Sequence, residues 1–586
     1  MLTRRRLLQA GAVAGVGLAA GRLGYRLPVV RASGGPILDA AGQPKFVNPL
    51  PNPLDPSFTF QPSGVMDGVP HYEIAIRQFR QRLGLYGPTG QALETTVWGY
   101  GTATQPPTYP GRTIVARRDQ AITVRWLNEL REGGQPVPHL LPVDTSVHWA
   151  LYGHDAMGPY QGPVPVVTHL HGGHTRSDSD GLPDAWFTPG FAATGRLFNE
   201  IYRYDNDQLA ATIWYHDHAL GITRLNVYAG LAGFYILRDD VEDGLVAAGS
   251  LPGGAFDIPI VIQDRMFYAS GELHYPAEPV EPGSPDPSVM PEFFGDVILV
   301  NGQAWPRLEV EPRPYRFRLL NGSDSRFYRL FLSTEAPIHQ VGTDEGLLAQ
   351  PVALDQLTIG PGERADLVVD FSELAGQSIV MRNVARSPFP KGGTPNPNTV
   401  GQIMAFAVTR PLSATPKAVL PAALRPPIMP LVQTGPTRRL LLFEGVDEYG
   451  RLKPLLGTVA DGGLAWTDPI TESVKFGDVE LWEIFNSTED AHPIHLHLVS
   501  FQIVDRQRFQ ATQDPASGAL SGVRLLGRSR PPEPNELGWK DTAQMMPGEV
   551  TRVIARFDRA GEYVWHCHIL SHEDHEMMRR YEVTAP

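Results

Sequence analysis

Short segments in which apolar and polar residues alternate run along most of the chain, separated by turns bearing Gly or Pro. AITVRWLN (121–128) and GEVTRVIARF (548–557) show the pattern. A period of two puts alternate side chains on opposite faces of an extended strand, so the chain is predicted to be all-β. Two strand patterns recur. TVRWLN (123–128), RFRLLN (316–321) and LWEIFN (481–486) each alternate and end in Asn, and PGERADLVVDF (361–371) parallels PGEVTRVIARF (547–557). Asn128, Asn321 and Asn486 stand 193 and 165 residues apart, enough for a Greek-key sandwich or barrel in each interval. Three repeated β domains are expected. Strand ends and proline set their limits: a first domain over 33–240, closing with GFYILRDD; a second over 255–410; a proline-rich linker over 411–436; and a third over 437–586.

With 586 residues, 42% of them apolar, the chain has material for several cores. A formal net charge of −13 argues against a nucleic-acid partner, which needs a basic surface to replace counterions on phosphate. The basic run Arg4, Arg5 and Arg6 precedes an apolar stretch, Leu7 to Ala20, that is too short to be a confident membrane span. The start TRRRLLQ resembles a twin-arginine export signal, with Leu7 in place of the commoner Phe and Gln9 in place of Lys. Residues 1–32 are read as that signal, cleaved after Ala32. An uncleaved anchor is the alternative. The mature protein is expected to be a periplasmic or extracellular monomer with no stable membrane span.

The chemistry concentrates at HCHILSHEDHEMM (566–578). Cys567 is the only cysteine and cannot form an internal disulfide; it lies between His566 and His568, with His572 and Met577 following. One thiolate, two imidazoles and a weak axial thioether make the donor set of a blue-copper site. Alternation along a strand turns His566 and His568 away from Cys567, so one tripeptide can touch two metal sites. Three upstream clusters supply further imidazoles: His169 and His171 in THLHGGHT, His216 and His218 in WYHDH, and His492, His495 and His497 in HPIHLH. With His566, His568 and His572 these are ten of the chain's 18 histidines. His174 and His575 lie beside the clusters and are expected to orient neighbours or sit at the surface.

With these motifs in this order, the chain resembles the multicopper oxidases from roughly residue 40 onward. HLHGGHTRSDSDGLPDAWF (169–187), ILVNGQAWPRLEVEPRPYRFRLLN (298–321), HPIHLHLVSFQIVDR (492–506) and GWKDT (538–542) are similar to the bacterial spore-coat laccases, bilirubin oxidases and phenoxazinone synthases. The resemblance implies three cupredoxin domains and four copper ions. His492, Cys567, His572 and Met577 match the type 1 copper ligands. His169 and His495 match the type 2 ligands, and His171, His216, His218, His497, His566 and His568 match those of the type 3 pair.

The implied activity is that of a laccase. Phenols or aromatic amines give up single electrons, which enter at the solvent-facing ligand His492, pass through the backbone of Cys567 to His566 and His568, and reduce O2 to water. Asp180 and Glu573 match the acidic residues that supply protons to this reaction; the plainer reading is that they only orient imidazoles. The middle domain holds no matching ligand and reads as a spacer. Bilirubin-oxidase or phenoxazinone-synthase specificity stays open. A cuprous-ion oxidase is disfavoured because the 12 methionines form no run longer than Met545-Met546 and Met577-Met578, and a copper carrier has no use for eight further histidines.

Overall fold

The computed structural model describes residues 35–152, 160–279, 281–334, 336–414 and 419–585. The expected export signal lies outside them, as does part of the expected linker. Most regular structure is strand, in keeping with the period-two pattern, and apart from a small hairpin it forms three pairs of sheets. Sheets of five and four strands use residues 64–238, sheets of eight and five use 257–407, and sheets of seven and five use 437–584. Alternate residues fill the cores. Ile74, Ile76, Val124 and Trp126 are buried in the first, and Trp482, Ile484, Val553 and Trp565 in the third.

The recurring Asn does the same work three times. Each Asn-ending strand runs parallel to an earlier strand of its own domain: Ile122–Asn128 beside Val69–Gln81, Pro314–Asn321 beside Asp257–Phe267, and Val479–Asn486 beside Thr437–Val446. The amide groups of Asn128, Asn321 and Asn486 donate to the carbonyls of Val164, Arg326 and Asp490. Their Oδ1 atoms accept from the N–H two residues on, at Leu130, Ser323 and Thr488, which closes an Asx turn at each strand end. The PGE segments lead into Arg364–Asp370 and Glu549–Arg556, the antiparallel partners of the second and third of these strands.

The histidine motifs lie on paired strands. In the first domain Thr168–His171 pairs with Ala211–Asp217, setting His169 opposite His216. In the third, His492–Leu496 pairs with Gly561–Cys567, setting His495 opposite His566 and Ile494 opposite Cys567. Two short helices, Thr223–Ala229 and Leu570–Asp574, bring these domains together. The Asp574 carboxylate accepts the N–H groups of Thr223 and Arg224, both at 2.9 Å, and pairs with the Arg224 guanidinium at 2.8 Å. Among the described residues no helix is long and apolar enough to cross a membrane.

Candidate metal centre

Eight buried imidazoles meet where the first and third domains touch. His169, His171, His216 and His218 come from one side, and His495, His497, His566 and His568 from the other. His171 stacks on His495 with ring centroids 3.7 Å apart, and His169 stacks on His497 at 3.8 Å. The two HxH pairs thus interleave across the interface.

Hydrogen bonds on the outer nitrogens decide which lone pairs face inward. Nδ1–H donates to a backbone carbonyl in His169 (Asp180, 2.6 Å), His216 (Asp217, 2.8 Å), His495 (Asp541, 2.9 Å) and His566 (Cys567, 3.1 Å). The opposite nitrogen, Nε2, is then bare. The Nε2 atoms of His169, His216, His495 and His568 and the Nδ1 of His171 are buried without a hydrogen-bond partner. The Nε2 atoms of His218, His497 and His566 converge, 3.1 to 3.3 Å from one another. Burial, and then the neighbouring imidazoles, hold the pKa values of His169, His218, His497 and His568 well below the usual histidine range. These rings are neutral. Neutral, buried, unpartnered acceptors cost about 1–3 kcal/mol each, and a cation coordinated by them removes that cost.

The second cluster lies around Cys567. Its Sγ is 3.5 Å from His492 Nδ1 and 3.8 Å from His572 Nδ1, and those nitrogens are 3.3 Å apart. All three side chains are buried and form a candidate metal-binding group. The Cys567 N–H donates to the Met577 carbonyl at 3.0 Å, and Met577 is buried in the same core. Burial pushes the Cys567 thiol well above its ordinary pKa. A thiolate here therefore requires a bound cation.

The description "Multicopper oxidase" matches residues 161–242 and 446–586. A laccase of Bacillus subtilis is 42% identical over 547 residues, covering 92% of this chain and 99% of the relative. The chain belongs to the multicopper oxidases. A laccase of Bacillus stratosphericus, 43% identical, likewise covers 92% of this chain and 99% of its own. The crystal structure of a laccase from Pediococcus acidilactici superposes with a TM-score of 0.68 at 24% identity, covering 93% of this chain and 95% of its own, and shares the fold.

This multicopper oxidase is of the bacterial laccase group and is a copper-dependent oxidoreductase. Its two clusters suit copper, since thiolate sulfur and imidazole nitrogen predominate in them. The histidines and the cysteine expected from the sequence all fall in one cluster or the other. Two expectations are corrected. His492 is fully buried, not solvent-facing: Thr488 Oγ1 lies 2.8 Å from its Nε2 and the Glu444 carboxylate 3.9 Å away. The cause is the Asx turn of Asn486, whose Oδ1 also accepts from Thr488 Oγ1 and so holds that hydroxyl beside the ring.

The middle domain is also no spacer. The Arg364 guanidinium reaches the Asp541 carboxylate, and Gly362 backs onto His568, where an added Cβ would lie 2.6 Å from the ring. Asp541 and Thr542 were missed as site residues, although GWKDT was visible as a motif. The two expected acids lie behind the imidazoles. Asp180 Oδ2 is 2.6 Å from His497 Nδ1, and Glu573 lies 3.3 Å from His218 Nδ1 and 3.1 Å from His566 Nδ1. His174 bridges the first and third domains between Asp207 (2.8 Å) and Asp558 (3.0 Å), and His575 lies 3.4 Å from Asp447.

Proposed function

We propose that this enzyme holds four coppers and couples one-electron oxidation of phenols and aromatic amines to four-electron reduction of O2 to water. His492, Cys567 and His572, with axial Met577, would hold the type 1 ion. His169 and His495 would hold the type 2 ion, and His171, His216, His218, His497, His566 and His568 the type 3 pair. One observation carries the reading: Cys567 Sγ belongs to one cluster while its chain neighbours, His566 and His568, belong to the other.

Copper, when bound, supplies the one-electron chemistry and the reduction of O2. The chain supplies the surroundings. The Cys567 backbone links the clusters by covalent bonds, and the buried interface keeps bulk water from them. Reduction of O2 consumes protons, so acids close to the eight imidazoles are needed. Glu573 caps two of three converging rings and Asp180 caps the third. Burial pushes the Asp180 pKa up to about 7, so the group can carry a proton near neutral pH. Holding an imidazole and delivering a proton are compatible roles for these carboxyls.

The absence of a methionine-rich segment weighs against a cuprous-ion oxidase. Bilirubin-oxidase or phenoxazinone-synthase specificity would reside in loops such as 386–400 and 507–537. The TRRRLLQ start supports export by a twin-arginine route to the periplasm or beyond. Steady-state turnover over a panel of phenols, aromatic amines, bilirubin and Cu(I), on protein of measured copper content, tests the assignment. Fast turnover of phenols and amines is expected; oxidation of Cu(I) alone would overturn it.

A further inference from the structure

The middle domain contributes none of the converging ligands, yet GWKDT fastens it to the site. The Trp539 carbonyl accepts the Glu345 N–H at 3.1 Å and the Thr343 hydroxyl at 2.8 Å. Lys540 Nζ lies 2.9 Å from Asp344 Oδ2 and 3.2 Å from Glu363 Oε1. The next residue, Asp541, holds two site histidines from two domains. Its Oδ1 lies 3.0 Å from His171 Nε2, and its backbone carbonyl accepts His495 Nδ1–H at 2.9 Å.

This contact makes His171 differ from its neighbours. His169, His216 and His495 place Nδ1–H on a carbonyl and offer Nε2, whereas His171 donates Nε2–H to Asp541 and leaves Nδ1 bare. The ring offers Nδ1 inward only while Asp541 is held in place. Thr542 Oγ1 donates to Oδ1 at 2.7 Å, and Arg364 holds both oxygens. Arg364 Nη1 donates to Asp541 Oδ1 at 2.8 Å and Nη2 to Oδ2, a bidentate fork. The guanidinium is itself pinned, with Nε donating to the Thr212 carbonyl at 3.0 Å and Nη1 to the Gly362 carbonyl at 2.9 Å. Gly172 completes the enclosure from the first domain: at φ +84°, an added Cβ would lie 2.6 Å from Arg364 Nη2 and 2.8 Å from Asp541 Oδ2.

We propose that Arg364 is a positioning residue that, through Asp541, sets the tautomer and orientation of His171, so that the middle domain tunes a copper site it does not ligate. The proposal rests on the copper reading given above. A purely structural role is the competing account, and the fold contains a control for it. Arg318, in the same domain, is equally buried and pairs with Asp257 at 2.7 Å and Glu242 at 2.6 Å, but its bonds reach no site histidine.

The test compares the copper-loaded parent with Arg364→Lys, Asp541→Asn and Arg318→Lys. Lysine keeps the charge but cannot hold both carboxylate oxygens and the Thr212 carbonyl at once. The readings are unfolding temperature, blue absorption, the rate of copper loss to a chelator, and the non-blue electron paramagnetic resonance, to which an ion of the spin-paired type 3 couple adds signal only when its pairing is disturbed. Arg364→Lys and Asp541→Asn are expected to add intensity to the non-blue resonance as the type 3 pair uncouples and to lose copper at least about tenfold faster, with the blue absorption intact. Arg318→Lys is expected to lower the unfolding temperature and to leave resonance and copper loss at parental values. Parental resonance and loss rate in Arg364→Lys, or the same changes in Arg318→Lys, would overturn the proposal while leaving the oxidase reading in place. A parent that takes up no copper overturns the oxidase reading and the proposal with it.

Discussion

Cys567 Sγ lies 3.5 Å from His492 Nδ1, joining two strands of one sheet at the point where the chain runs on into the eight-imidazole cluster. Cys567→Ser should therefore abolish both the intense blue absorption and oxidase turnover, because a hydroxyl replaces the thiolate on which both depend. Absorption spectra and O2 uptake on copper-loaded protein check it. A blue, active serine variant would sink the assignment.

Met577 is fully buried beside Cys567, and its carbonyl accepts the Cys567 N–H. Met577→Leu keeps that backbone bond and the apolar packing while removing the thioether. Redox titration should show a raised type 1 potential with activity retained. An unchanged potential would mean that the axial position belongs elsewhere, Met578 being the neighbouring choice.

Glu573 faces His218 and His566 with separate oxygens, at 3.3 and 3.1 Å. Glu573→Gln removes the negative charge that faces both rings and cannot deliver a proton. Anaerobic reduction of the blue copper by substrate should stay fast, while turnover under O2 falls about 10- to 100-fold, more steeply at high pH. Parental turnover across pH with full copper would remove Glu573 from the reaction.

His174 links the first and third domains through Asp207 and Asp558. Burial lowers its pKa, but the two carboxylates outweigh this and raise it to about 9. A folded pKa above the ordinary 6.5 gives stabilisation that is complete below about 6.5 and is lost as pH rises through about 9. His174→Gln should lower the unfolding midpoint at pH 6 by about 1 °C, equivalent to about 1 kcal/mol for a chain of this length, and the deficit should vanish by pH 10. Equal deficits at both pH values would show that the charged bridge contributes nothing.

Local signals made most of this protein legible. Period-two alternation marked the strands, and the repeated Asn marked their ends, because an Asx turn needs only a few consecutive residues. The ligands stood out because copper chemistry requires particular atoms at short spacings along strands. Arg364 was not legible in the same way, since Asp541 lies 177 residues further on. Comparison of the repeats held a trace of it: PGER carries Arg364 where the third-domain copy, PGEV, carries Val550, so a charge replaces an apolar residue on a buried strand. That substitution acquires meaning only when the opposing domain is in view. The burial of His492 likewise depends on where the turn after Asn486 sets Thr488, which no spacing in HPIHLH records.

The electron balance of a single preparation tests the central claim most directly. Copper per chain, phenol oxidised, O2 consumed and hydrogen peroxide released should be measured together. The proposed function predicts four coppers per chain, four one-electron oxidations of phenol for each O2 consumed, and no accumulation of peroxide. Two oxidations per O2 with matching release of peroxide, at full copper content, would contradict the account.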